Sequence, residues 1–316
     1  MHTDLPPSTS IPPKKHHYRL VRGVARFRWL RELLAGIYVV SHRRSTARFV
    51  AEQHDNLAAS LFAVDIDRLS RCLRTDGYSL GLHLPSDLLV QLQTHARTSR
   101  CFADRDPSLG FLVDDRARAE AALGKEILLA ECFNARASCD AVDRIANDPL
   151  IQIVAARHLG STPRLVGTSL WWTFPVDASE SDRMHHAHFF HRDVDDFRFV
   201  KFFFYLTDVN LNDGGHVIVR GSHRRQPFVR TTDRFLLRRF DDDEIEQFYG
   251  ANHIVEVGGA AGTGFVENTL CVHKGLTPTH HPRLILQLEF ALFDYGLSHD
   301  DREPSELRSI LDLQDR

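Results

Sequence analysis

From Tyr18 to about Ser60 the apolar residues Leu20, Val24, Phe27, Leu30, Leu34 and Ile37 recur at every third or fourth position, which predicts helix. Arginines 19, 22, 26, 28 and 31 fill the gaps between them. A basic amphipathic stretch of this kind fits two arrangements. It can make peripheral contact with an anionic membrane surface through residues 18–40, or pack on the main domain with a solvated arginine face. Residues 1–17 are rich in proline, serine and histidine and are expected to be a disordered lead-in. Leu73 to Tyr78 predicts a turn entering a strand. Helices are then expected at Ser86–Arg97, with Ser86 as N-cap, at Ala117–Ala130, and at Ala141–Leu159 closed by Gly160.

Near Leu165 the period shortens. β-type segments follow at Leu165–Phe174, His188–Val194, Phe199–Leu206, His216–Val219, Ile254–Val257, Gly264–Val266 and Leu284–Phe290. Glycine-rich turns at Asn212–Gly215 and Gly258–Gly262 punctuate them, and one helix interrupts at Asp241–Tyr249, with an acidic first turn and Gly250 behind it. The pattern is mainly β with flanking helices (α+β), a sandwich or jelly roll. It divides the chain into the lead-in 1–17, a helical extension 18–60 and one domain over 61–316.

Composition narrows the class. With 43% hydrophobic and 26% charged residues the chain reads as a soluble globular protein, and a net charge of -3 offers no bulk attraction to nucleic acid. Five cysteines, an odd number without C-x-x-C spacing, argue against a disulfide framework or structural zinc and fit a reducing cytoplasm. The N-terminus lacks the basic and apolar regions of a signal peptide, and no apolar run is long enough to span a bilayer. Histidine is the unusual count, at 19, with His185, His186, His188 and His191 crowded together.

His191-Arg-Asp193 places an imidazole and a carboxylate two residues apart, on one face if the backbone is extended. His273, expected to end a strand over Thr269–His273, is the candidate third ligand. Two histidines and one carboxylate form the facial triad of non-haem iron(II) oxygenases. Three protein ligands leave three adjacent positions, two for an oxo-acid chelate and one for dioxygen. An oxo-acid with a second carboxylate needs a fixed cation, and Arg283, ten residues beyond His273 at the start of a strand, offers a bidentate guanidinium. A rival cupin-type site would use His186-Ala-His188. Lys201, alternating with Phe202–Phe204, could reach the cosubstrate or emerge at the rim. His223 suits a turn-capping hydrogen-bonder, and Cys271 the core.

Phe190-His-Arg-Asp193 through Val209, Asp213-Gly-Gly-His216 through Gly221-Ser-His223, and Gly259 through Gly275 followed by Pro282-Arg283 resemble the phytanoyl-CoA dioxygenase family. The likeness covers about residues 70–293, and Arg220 replaces the family's proline before Gly-Ser-His. The resemblance implies a double-stranded β-helix core (jelly roll, cupin-like) with helices packed on one sheet. It implies Fe(II) held by His191, Asp193 and His273, with 2-oxoglutarate as cosubstrate at Arg283 and O2 as oxidant; Phe203 falls near an aromatic position beside the cosubstrate. The expected activity is hydroxylation of a C–H bond in a small-molecule substrate, with 2-oxoglutarate converted to succinate and CO2. A halogenating enzyme would carry a small residue at position 193, so Asp193 argues against one. A membrane-peripheral enzyme acting on a lipid or lipid-linked glycan, and a non-catalytic ligand-binding member of the fold, are the alternatives.

Overall fold

The computed structural model describes residues 13–177, 188–211, 213–225, 239–295 and 300–310, with side chains from Tyr18 onward. The described residues begin with two helices, α1 (Pro13–Ala25) and α2 (Arg28–Asp55), so helix starts inside the stretch expected to be a disordered lead-in; residues 1–12 lie outside the described set. Extended backbone at Phe27 (φ −88°, ψ 98°) separates the two. Both helices pack on the main domain along one side: Tyr18 meets the Tyr295 ring at 4.8 Å, and Gly160 lies against Val39. The opposite side of α2 carries an apolar stripe in the open. Trp29, Leu33, Ile37 and Val40 are 69%, 53%, 59% and 76% exposed.

Behind the large sheet lie α3 (Ile66–Thr75), capped by Asp65, and α4 (Ser86–Thr98). Ser86 is the first helical residue rather than the cap; Pro85 precedes it without a capping hydrogen bond. The helix expected over Ala117–Ala130 is α5 (Arg116–Leu123) only. Gly124 takes the left-handed conformation that ends it, and Leu129–Glu131 join the sheet. The expected Ala141–Leu159 helix is likewise divided, into α7 (Asp140–Ala146), which follows the short α6 (Ala135–Ser138), and α8 (Pro149–Leu159). The residue before a proline is driven to extended backbone, and Asp148 (ψ 132°) breaks the helix while its carboxylate caps α8.

The larger sheet has eight antiparallel strands. Their order is β1 (Tyr78–His83), β9 (Thr263–Glu267), β6 (Phe199–Tyr205), β11 (Arg283–Ala291), β5 (Arg164–Thr173), β4 (Leu129–Glu131), β2 (Cys101–Ala103) and β3 (Gly110–Phe111). The smaller sheet is β10 (His273–Gly275), β7 (His216–Val219) and β8 (Ile254–Val257). Side chains alternate between two environments, as strand geometry requires. Phe202, Phe204, Leu284, Leu286, Leu288 and Phe290 enter the core beneath the helices. Phe203, Tyr205 and Ile285 turn the other way and meet Ile218 and Val257 of the smaller sheet. Helix α9 (Asp242–Tyr249) closes the smaller sheet's outer side through Ile245 and Tyr249. This is the expected jelly roll with helices on one sheet, and its polar pocket opens between the two sheets.

Candidate active site

Two segments expected as strands behave otherwise where the ligands sit. Residues 188–194 form bridges only at Phe190 and His191, and Asn268 turns the chain before Cys271, so that His273 begins β10 rather than ending a strand. The three candidate ligands meet all the same. His191 and His273 exchange both main-chain hydrogen bonds, and the Asp193 N–H donates to Thr269 O at 3.0 Å. The ligand atoms of His191, Asp193 and His273 all lie within 4.8 Å of one another, a group able to hold a metal ion. His191 Nε2 is 3.7 Å from Asp193 Oδ1, and His273 Nε2 is 3.6 Å from Oδ2. The opposite ring nitrogens face main-chain carbonyls, Nδ1 of His191 at 3.0 Å from Phe189 O and Nδ1 of His273 at 2.9 Å from Cys271 O. A proton on each Nδ1 leaves each Nε2 lone pair free for a metal.

Electrostatics favour the ligand forms. Burial, with the neighbouring His273 adding to it, drives His191 far below the usual imidazole range and keeps it neutral. Burial alone would raise Asp193, but Lys201, followed by the two imidazoles, outweighs it and holds the carboxylate ionised. Lys201 does not emerge at a rim. It is buried, with Nζ 2.8 Å from Asp193 Oδ2, 3.3 Å from Asp195 Oδ2 and 3.4 Å from Glu289 Oε2. Asp195 extends this network to the N-terminus, accepting from Tyr18 Oη at 3.3 Å and standing 3.5 Å from Arg22 Nε.

Arg283 is buried in the same pocket, donating to Gly214 O and, at 3.1 Å, to Thr173 Oγ1. Its Nε has no partner, and no carboxylate among the described residues pairs with the guanidinium. Phe203 lines the pocket, stacked on Phe265 at 4.9 Å and 5.1 Å from the His216 ring. His216 is held neutral, its pKa pushed down to about 3 by burial and then by Arg283. Its Nε2 lies 2.7 Å from Glu267 Oε2, a carboxyl that burial pushes up to about 7.

The cavity holding these groups measures about 360 Å³. Sequence reasoning missed much of its lining: Glu131, Ser169, Trp171, Asp195, His216, Gln287, Glu289 and Asp300. One signal was available, because Arg283, Gln287 and Glu289 alternate with Leu284, Leu286 and Leu288 in an otherwise apolar strand. His188 lines the pocket beside Thr277 (2.6 Å), while His185 and His186, and with them the rival His186-Ala-His188 site, lie outside the described residues. His223 bridges Cys271 Sγ and Arg74 O, each at 3.2 Å, and Cys271 is buried in the core.

A jelly roll bearing two histidines and a carboxylate on one side of a polar pocket has the make-up of the non-haem oxygenase class. Residues 20–283 match the family model described as phytanoyl-CoA dioxygenase (PhyH). The chain therefore belongs to the phytanoyl-CoA dioxygenase family, and its activity is of the 2-oxoglutarate-dependent oxygenase type. Among solved structures it is similar to the epimerase SnoN in complex with Fe3+, alpha ketoglutarate and nogalamycin RO. That match has 18% identity and a TM-score of 0.50, covering 71% of this chain and 82% of SnoN. It is also similar to HygX from Streptomyces hygroscopicus with nickel and 2-oxoglutarate bound, at 16% identity and a TM-score of 0.50, over 74% of this chain and 90% of HygX. At these identities the likeness is one of fold. No curated protein sequence matches the chain.

Proposed function

We propose that this protein is an iron(II)- and 2-oxoglutarate-dependent dioxygenase that hydroxylates a C–H bond of a small polar molecule. The carbon skeleton of 2-oxoglutarate leaves as succinate and CO2, one oxygen atom of O2 entering the succinate and the other the substrate. The observation that carries the proposal is the pairing, in one pocket, of the His191–Asp193–His273 cluster with a buried arginine that has no acidic partner in the described protein. A guanidinium so far from water calls for an anion, and a dicarboxylate with one end at the metal supplies it.

His191, Asp193 and His273 would hold Fe(II), which with 2-oxoglutarate and O2 supplies the oxidising power. Arg283 and Thr173 would bind the far carboxylate, with Phe203 and neutral His216 forming the wall beside the cosubstrate chain. Lys201 keeps Asp193 ionised and in place. The remaining lining, with Glu131, Gln287, Glu289 and Asp300, is too polar for an acyl chain, which favours a hydrophilic substrate over a lipid tail. The test is succinate release from 2-oxoglutarate by iron-loaded protein. Activity is expected in wild type and absent in Asp193→Ala; succinate release unaffected by that change would refute the assignment.

A second reading, work at a membrane surface, is supported by the exposed stripe Trp29, Leu33, Ile37 and Val40, flanked by exposed Arg26, Arg28, Arg43, Arg44 and Arg48. Apolar side chains beside a cationic run suit an anionic headgroup layer.

A further inference from the structure

We propose that the substrate carries a protonated amine, which docks on Glu131 at the end of the pocket formed by β4 and β5. The inference rests on the oxygenase reading of the pocket and names the chemistry of its second ligand.

The inner face of the large sheet is a grid set by register. One row runs Leu129–Thr173–Arg283, and the next Glu131–Trp171–Ile285–Tyr205. Two further rows follow: Ser169–Gln287–Phe203–Phe265, then Gly167–Glu289–Lys201–Glu267. Arg283 and Phe203 occupy the side read as the cosubstrate's. Glu131, Trp171 and Ser169 have no task in that reading.

Glu131 is 1% exposed and lines the cavity, yet only half of its carboxylate is satisfied. Oε2 accepts from Arg105 Nε at 3.3 Å, and Oε1 has no partner. Arg105 is half-exposed, so water screens its charge. Ser169 Oγ donates to Asp300 Oδ1 at 2.5 Å and lends Glu131 only a minor stabilisation, while Asp300 brings a second carboxylate against the first. Lys201 is engaged by Asp193, Asp195 and Glu289.

A buried carboxylate with an unmet oxygen is costly unless a donor, and preferably a charge, reaches it. Burial raises this carboxyl to about 8, so a hydroxyl would meet it as one neutral group meets another. An ammonium would hydrogen-bond Oε1 and, as a charge, draw the carboxyl to its ionised form. Trp171, opposite Glu131 across the strand pair, offers a flat apolar surface to the ring or chain that bears the amine.

The test uses full-length protein loaded with iron(II) and 2-oxoglutarate under argon, titrated with matched probes: glucosamine against glucose, and benzylamine against benzyl alcohol. Each amine is expected to bind at least ten-fold more tightly than its alcohol. In Glu131→Gln the ratios should collapse toward one, while the 2-oxoglutarate midpoint, which reports an intact site, stays put. Ratios near one in wild type, a comparison that needs no variant, would overturn the proposal. So would a preference that survives Glu131→Gln. If 2-oxoglutarate does not bind at all, the oxygenase reading fails separately, and the same ratios measured on metal-free protein still decide the amine subsite.

Discussion

His191 and His273 are tied to each other twice through their main chains, at 2.9 and 3.0 Å, so the two candidate imidazole ligands are placed by backbone pairing. The site is preformed, and metal binding to the folded chain adds stability by mass action, about 2.7 kcal/mol at a hundred-fold excess over Kd. Nickel or iron(II) should raise Tm in wild type. In Asp193→Ala the rise should vanish while metal-free Tm and circular dichroism show a folded protein, since the main-chain pairing remains. A metal-induced rise that persists in Asp193→Ala would place the metal elsewhere.

Lys201 faces three carboxylates from a buried position. Removing one partner of a buried ionic group leaves uncompensated charge and costs about 3–5 kcal/mol. Lys201→Met should lower the metal-free Tm strongly. Added metal should then recover more Tm than it adds to wild type, because the cation takes over the charge on Asp193. A variant with unchanged stability but a shifted 2-oxoglutarate midpoint would make Lys201 a cosubstrate ligand instead.

Burial, then repulsion from Asp300, raises Glu131 from an ordinary carboxyl pKa of 4.5 to about 8. The folded state therefore favours the protonated form. Its contribution is fully present below about pH 4.5 and is lost as pH rises through about 8. Glu131→Gln removes that dependence. Its stability relative to wild type should climb between pH 5 and 8, by at most a few kcal/mol at about 1.4 kcal/mol per pH unit, and then level off. Denaturant melts across that range measure it; a gap that does not vary with pH would refute it.

The stripe on α2 should bind vesicles containing phosphatidylglycerol at low salt, with Trp29 emission shifting to the blue. Binding should weaken as salt rises and be lost in Leu33→Glu/Ile37→Glu, with no binding to phosphatidylcholine alone. Binding unaltered by those changes would move the contact away from α2.

The juxtaposition of His191, Asp193 and His273 was legible because its signals are local. H-x-D is a two-residue spacing, and the sequence order of His273 and Arg283 repeats a family pattern. Strand β11 was legible from its alternation, and β6 from a run of β-branched and aromatic residues. The segment before Glu131 was expected to be helical, since Leu129–Glu131 are apolar apart from the glutamate and acquire strand identity only by pairing with β2 and β5. Asp300 reaches Ser169 across 131 residues, and His216 reaches Glu267 across 51; neither pairing leaves a trace in spacing. The break between α7 and α8 is written locally, in Asp148-Pro149, inside a longer apolar pattern that favours a single helix.

The His191–Asp193–His273 cluster and Arg283 are proposed to form one site for one dicarboxylate. Titrating 2-oxoglutarate into iron(II)-loaded protein without oxygen, and following the metal-to-ligand charge-transfer absorption, tests it directly. Each charge-assisted hydrogen bond is worth about 1.5–3 kcal/mol, so Arg283→Ala should raise the midpoint ten- to a hundred-fold or more, at about 1.4 kcal/mol per decade. Arg283→Lys should recover only part, lacking the forked geometry. Iron affinity should stay unchanged in both, because the guanidinium donates nothing to the metal. A midpoint equal to wild type in Arg283→Ala, with iron still bound, would contradict the account.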